Sequence, residues 1–147
     1  MFLKEIWLWL ILAAYLIVGS LYALLTPAWQ TPDEPAHYSY VRQLANGRFP
    51  IIEPGDYDQA YLGEVVFGER PFAPEYDLTI IEYEDWQPPL YYLLQTPIFW
   101  LSGGSLQAMR LFSLLLGAGI IIFGFGVAWR LFPQRHWVRE TTAVFIA

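Results

Sequence analysis

The sequence predicts an all-α polytopic membrane protein in which transmembrane helices flank a long acidic loop carrying an amphipathic interfacial helix. Three observations lead there. Apolar residues are gathered in uncharged blocks: Ile6–Leu25 (IWLWLILAAYLIVGSLYALL) and residues 111–129 (LFSLLLGAGIIIFGFGVAW) each approach the ~20 residues that cross a hydrocarbon core. Charge is segregated, with 12 of the 14 acids between positions 26 and 88 against only Arg42, Arg48 and Arg70. And the loop opens on TPDEPAHYSY (residues 31–40), where prolines and acids together mark a helix start.

Of the 147 residues, 56% are hydrophobic and 18% aromatic, and their blockwise arrangement sets this chain apart from a water-soluble domain of the same length. The formal net charge of −6 divides into a loop near −9 and a remainder near +3, the latter from five bases against Glu5 and Glu140. Such a balance does not favour nucleic acid as a partner. With no cysteine, disulfide, zinc-thiolate and thiol chemistry are excluded.

The first span covers residues 1–25. Lys4 before a long apolar run resembles a secretory signal, but the run exceeds the usual signal core and no small-x-small cleavage site follows, so it reads as uncleaved. Trp7, Trp9 and Trp29 sit near its ends, where indoles favour the membrane interface. Residues 26–87 form the acidic loop. Its helix is expected over 32–46: Pro32 and Pro35 are tolerated only in a first turn, Thr31 and Glu34 have capping-box spacing, with Asp33 as an alternative N-cap, and Asn46-Gly47 ends it. Tyr38, Val41 and Leu44 make its apolar stripe. The stretch from Phe49 onward mixes proline, glycine, acids and tyrosine without period and reads as an irregular, ordered loop, with residues 78–83 as a short strand or extended piece.

Pro88 and Pro89 open the next helix, placed at 88–103, with Gln87 at or beside its cap. Its apolar part is short and contains Pro97, so it reads as a short second crossing or a re-entrant segment. A third transmembrane helix is placed at 107–132, where Gly117, Gly119, Gly124 and Gly126 allow close approach of another helix. Arg130, Arg135, His136 and Arg139 follow, and residues 140–147 begin a further apolar run in which the sequence ends, as expected of a fragment of a longer polytopic protein.

Chemistry concentrates on Asp33 and Glu34. Partial positive charge at a helix N-terminus stabilises a carboxylate, which makes an acid there a candidate proton acceptor. Residues four apart share a helix face, so Asp33 and His37 are expected to be neighbours while Glu34 points elsewhere. The plain alternative is that both acids only cap a surface helix.

In order, the uncleaved first span, TPDEPAHYSYVRQLANGRFP, and QPPLYYLLQTPIFWLSG followed by QAMRLFSLLLGA resemble the amino-terminal part of the GT-C membrane glycosyltransferases, the group holding the dolichyl-phosphate-mannose protein mannosyltransferases and the bacterial aminoarabinose transferase. The resemblance covers nearly all of the chain and only the first quarter or third of a whole enzyme. It implies transfer of a sugar from a polyprenyl-phosphate donor to a hydroxyl on a glycan, lipid or protein acceptor, with inversion. It implies Asp33 as the catalytic base beside Glu34, and Gln87 and Tyr91 as substrate-binding residues; His37 is a further substrate-binding candidate that would meet a phosphate or orient Asp33, its plain alternative being a histidine hydrogen-bonded at the interface. Gln87 stands where a His or Lys is common; a neutral amide hydrogen-bonds a phosphate without supplying charge, so phosphate binding would rely on other residues. Tyr38, Tyr40, Tyr91 and Tyr92 either stack on sugars or anchor the interface, anchoring being the plainer reading. No cofactor is implied, the lipid-phosphate sugar being a substrate. The loop's acids leave divalent-metal dependence open, but no spacing resembles a calcium loop and no metal is assigned.

The resemblance places the acidic loop outside the cytoplasm and the chain in the plasma (inner) membrane as a multi-pass protein. Two further crossings then put Arg130–Arg139 outside as well, against the positive-inside tendency. A re-entrant 88–103 reconciles the two rules, while Arg110 and the family pattern favour two crossings. The alternative function is non-catalytic: a membrane protein whose acidic loop binds a partner or glycan during envelope assembly. A transporter fits less well, because the long spans carry no ionisable residue.

Overall fold

In the computed structural model, residues 5–31 and 33–147 are described; Lys4 and Pro32, used in the sequence reading, lie outside them. The elements in order are α1 (Ile6–Leu25), α2 (Glu34–Ala45), α3 (Gln59–Phe67), a 3-10 turn (Leu78–Ile80), α4 (Leu90–Ser102), α5 (Leu106–Leu131) and α6 (His136–Ile146). The described residues contain no strand. They divide into two units: one holds α1, α5 from Arg110 onward and α6, and the other is Thr26–Met109.

In the first unit, Leu8 and Leu12 of α1, Ala118, Ile121 and Phe125 of α5, and Ala143 of α6 form one buried cluster. Two of the expected glycines permit it: a methyl at Gly117 would collide with the Tyr15 ring, and one at Gly124 with Ile146, whereas Gly119 faces open space. Both long helices are long and apolar enough to cross a membrane, yet only 17% of the most apolar window of α1 and 22% of that of α5 is buried. Most of their apolar surface is therefore left uncovered by the rest of the described residues, whereas the core helix of a water-soluble fold buries most of its own. The last helix begins at His136, ahead of the expected 140, and takes in part of the basic run. Arg139, 1% exposed, lies with its guanidinium 4.0 Å from the centre of the Trp129 ring and donates to Nδ1 of His136.

The second unit is built on α2 and α4. Tyr40 and Val41 of α2 are buried with Tyr92 of α4 and Met109, and Tyr38 and Leu44 pack against them, so the predicted apolar stripe is the packing face. Tyr40 and Tyr92 stack face to face at 3.7 Å. The tyrosine hydroxyls then tie α2 down: Tyr38 donates to the Gly104 carbonyl at 2.8 Å and Tyr40 to that of Gln87 at 3.0 Å. Gly104 is required there, with φ of 80° and its α-carbon so close to the Tyr38 hydroxyl that a Cβ would sit 2.9 Å from it. At the other end of α2, Gly47 (φ 77°) donates to Leu44 and Arg48 to the Gln43 carbonyl, a Schellman ending, and Trp100 of α4 caps the Ala45 carbonyl.

Residues 77–87 run as a strap over the polar face of α2. Ser39 and Arg42 donate to the carbonyls of Leu78 and Thr79, Arg42 and Arg48 pair with Glu82, and Gln43 donates to both oxygens of Asp85. Of residues 78–83, expected as a short strand or extended piece, Leu78–Ile80 form a 3-10 turn, because the Asp77 carboxylate caps the Thr79 N–H and hydroxyl and closes the chain locally, and Ile81 is extended. A second correction is α3, in the stretch read as irregular. Asp58 accepts from the N–H groups of Ala60 and Tyr61 and starts it, while Gly63 and the β-branched pair Val65-Val66 dilute its helical signature in the sequence. In α4 the chain continues helically through Pro97. At 13 residues α4 is about 20 Å long, against a hydrocarbon core of ~30 Å.

Burial pushes the Asp85 carboxyl up to about 6, with Glu82 and Asp56 adding to the rise against the opposing Gln43 hydrogen bonds and Arg48. The folded form therefore holds this proton to higher pH than the unfolded chain, whose aspartates titrate near ~3.9. The stabilisation is complete below that pH and is lost as pH rises through about 6. Asp85→Asn is expected to raise the unfolding temperature at neutral pH and to flatten its decline between about pH 4 and 7, as read by thermal melts across that range.

Candidate functional site

Asp33 occupies the N-cap position of α2, but with a left-handed backbone, φ 59° and ψ 2°. A capping side chain works from the extended region, where its oxygen reaches the N–H two or three residues on; here that geometry is lost and the Asp33 side chain makes no cap bond. It accepts instead from the Tyr83 hydroxyl at 2.6 Å, across 50 residues of sequence. Burial, and then this bond to the Asp33 carboxylate, push the Tyr83 phenol far above its usual range, so Tyr83 stays a donor. The strap over α2 is what delivers Tyr83 to this position.

The expected capping box does not form. Thr31 Oγ1 is buried and has no hydrogen-bond partner, and the Glu34 carboxylate reaches back to the Trp29 N–H at 2.8 Å. Glu34 thus fixes the turn that leads into α2, while Pro35, lacking an N–H, removes one of the helix's unpaired donors. Asp33 is left without a capping duty.

Beside Asp33 opens a cleft of about 940 Å³, whose walls include Trp29, Tyr57, Gln59, Phe72 and Tyr83. That volume lies within the range of small-molecule sites. Among the described residues, three that are not glycine have left-handed backbones, Trp29 (φ 69°), Asp33 and Phe72 (φ 54°), and all three line this cleft. A left-handed conformation costs roughly 1–2 kcal/mol for an ordinary residue, and such conformations gather where function has fixed them.

The other expected site residues lie elsewhere. His37 does not pair with Asp33: its Nδ1 is 2.8 Å from the Tyr92 hydroxyl, and the two rings stack. The helix places both residues on neighbouring turns, but each has found a different tyrosine. Gln87 donates to Glu84 at 2.7 Å and belongs to the strap. Tyr91 accepts from Gln95, one turn further along α4. Tyr38, Tyr40 and Tyr92 are consumed in helix packing. Of Asp33, Glu34, His37, Gln87 and Tyr91, only Asp33 lines the cleft.

Tyr83, Tyr57 and Gln59 carry no local mark of a site in the sequence. The Asp58 N-cap before α3 was a legible signal for the wall carrying Gln59, but nothing local announces that Tyr83 meets Asp33. Among the described residues no group of three or more His, Asp or Glu side chains is gathered closely enough to hold a metal ion. No family model matches the chain, and no curated protein or solved structure is significantly similar to it.

Two substitutions separate the roles. Tyr83→Phe removes the solvent-exposed hydrogen bond to Asp33 and is expected to destabilise the unit by about 0.5–1.5 kcal/mol, read by denaturant titration. Thr31→Val replaces an unpartnered buried hydroxyl by a methyl of the same shape and is expected to be neutral or stabilising in the same denaturant titration.

Proposed function

We propose that this chain is the amino-terminal part of an integral membrane glycosyltransferase that uses a polyprenyl-phosphate sugar donor, with Asp33 as its base. The observation that carries the reading is the Asp33 carboxylate, released from helix capping, held by Tyr83 and facing a ligand-sized cleft. The Tyr83 hydroxyl engages Oδ1, which leaves Oδ2 for an acceptor hydroxyl. In the proposed step the acceptor oxygen attacks the anomeric carbon as Asp33 takes its proton, the bond from that carbon to the lipid-phosphate oxygen breaks, and the lipid phosphate leaves with the electron pair. The centre inverts because attack and departure occupy opposite faces. Glu34 supports the entry turn and His37 the α2–α4 contact, so neither has a direct part in this scheme. Donor phosphate binding falls to residues outside the cleft.

The proposed topology has α1 and α5 crossing the membrane and the acidic module outside the cytoplasm. α4 is short, and its Tyr92, Gln95 and Thr96 are buried within the Thr26–Met109 unit, which supports its belonging to the external module as a re-entrant or interfacial helix. The chain then returns through α5, and the basic run from Arg130 to Arg139 reaches the cytoplasm in keeping with the positive-inside tendency.

Asp33→Asn in the full-length protein is expected to lower sugar transfer by at least ~10²-fold with membrane insertion intact, assayed by transfer from a radiolabelled polyprenyl-phosphate sugar; near-normal turnover would remove Asp33 from the mechanism. These 147 residues contain no cysteine, so Ser105→Cys reports topology once any cysteine elsewhere in the full-length protein is replaced by serine. The re-entrant arrangement predicts labelling by an impermeant maleimide added to intact cells, whereas a two-crossing arrangement predicts protection.

A further inference from the structure

The side chains that wall the cleft say which of two substrates can enter it. A donor sugar phosphate is anionic, and the binding of phosphate calls for arginine, lysine or a cluster of backbone N–H groups. The described lining contains no Lys, Arg or His, and Asp33 is its one charged side chain. The partial positive charge at the start of α2, roughly half an elementary charge, is outweighed by the Asp33 and Glu34 carboxylates. An anion is therefore repelled.

What the walls do offer is a set of aromatic faces beside neutral hydrogen-bonding groups. Trp29, Tyr57 and Phe72 present rings, and Gln30 and Gln59 present amides, each with both donors and an acceptor. A pyranose has the same division of character: C–H groups on its faces, which pack on aromatic rings, and hydroxyls around its edge, which bond to amides and carboxylates. The Thr31 hydroxyl, partnerless in the same wall, is a further polar group that a bound hydroxyl can satisfy after a small adjustment. At about 940 Å³ the cleft has room for more than one ring.

We propose that the cleft beside Asp33 is the acceptor subsite and that the acceptor is an uncharged carbohydrate, bound by ring stacking on Trp29 and Tyr57 with its reacting hydroxyl at Asp33. This rests on the transferase reading of the same site, and the test separates the two. The full-length chain in lipid nanodiscs is examined by saturation-transfer NMR with mannotriose, maltotriose and chitotriose, and with a phosphorylated form of each. At least one neutral trisaccharide binds, its phosphorylated form binds about tenfold or more weakly, and Tyr57→Ala and Gln59→Ala each weaken binding by about fivefold to tenfold. Tyr57 is 61% exposed, so its truncation removes a wall of the cleft without opening a core. Binding of none of the three, equal or tighter binding of the phosphorylated forms, or unchanged binding by both variants overturns the proposal. Transfer assays on Asp33→Asn are read independently. Sugar binding alongside undiminished transfer by that variant ends the base assignment and leaves the subsite standing; loss of transfer with no sugar binding does the reverse.

Discussion

The face-to-face contact of Tyr40 with Tyr92 is the constraint on which the acidic module depends. Two rings at 3.7 Å lock α2 against α4, and both hydroxyls remain engaged, Tyr40 with the Gln87 carbonyl and Tyr92 with His37. A short amphipathic helix is marginal in water by itself, so α2 exists because this packing holds it. Once α2 is fixed, its opposite face presents Ser39, Arg42 and Gln43 in a row, and the strap lies down along them. That strap ends by setting Tyr83 against Asp33. Geometry at the cleft is therefore inherited from a contact that does not line it.

The buried Gln43–Asp85 pair illustrates the cost of such a strap. Gln43 gives both Asp85 oxygens a donor, and its own carbonyl accepts from Arg48, which is tied to Glu82. Even so, an ionised carboxylate among buried groups loses more in hydration than these bonds return, and the carboxyl holds its proton to higher pH. The network is specific in register: sliding the strap by one residue would leave Asp85 and Gln43 unpaired in the interior.

Asp33 shows how backbone conformation can release a side chain from helix capping. The same aspartate in an extended backbone would be an ordinary N-cap, its oxygen occupied by the first turn of α2. In the left-handed region it turns away, and Glu34 and Pro35 take over the turn, one by bonding Trp29 and the other by having no N–H to satisfy. Aspartate tolerates this conformation better than most residues, since a short polar side chain meets few clashes there. Trp29 and Phe72 share the conformation without that excuse, so the three strained positions around one cleft represent a deliberate local cost.

What the sequence alone determined was what repeats or punctuates locally. The spans of α1 and α5 follow from uninterrupted apolar composition, α2 from Pro35, the Tyr38–Val41–Leu44 stripe and the Asn46-Gly47 ending, and the start of α4 from Pro88-Pro89. Asp33 stood out for the same reason, as an acid at a helix start. The tertiary structure decided what each side chain does. Helical spacing places Asp33 and His37 together, but hydrogen bonds choose among all donors within reach, and tyrosines 50 and 55 residues away took them apart. The capping box gave way to a reach-back bond because the entry turn needed Glu34 elsewhere. The helix α3 and the 3-10 turn were obscured because glycine and β-branched residues weaken a short helix's signature, while an Asp side chain can close a turn within a sequence of strand-like composition. Periodicity and punctuation are written along the chain, whereas a partner across 50 residues is fixed only when the strap folds onto α2.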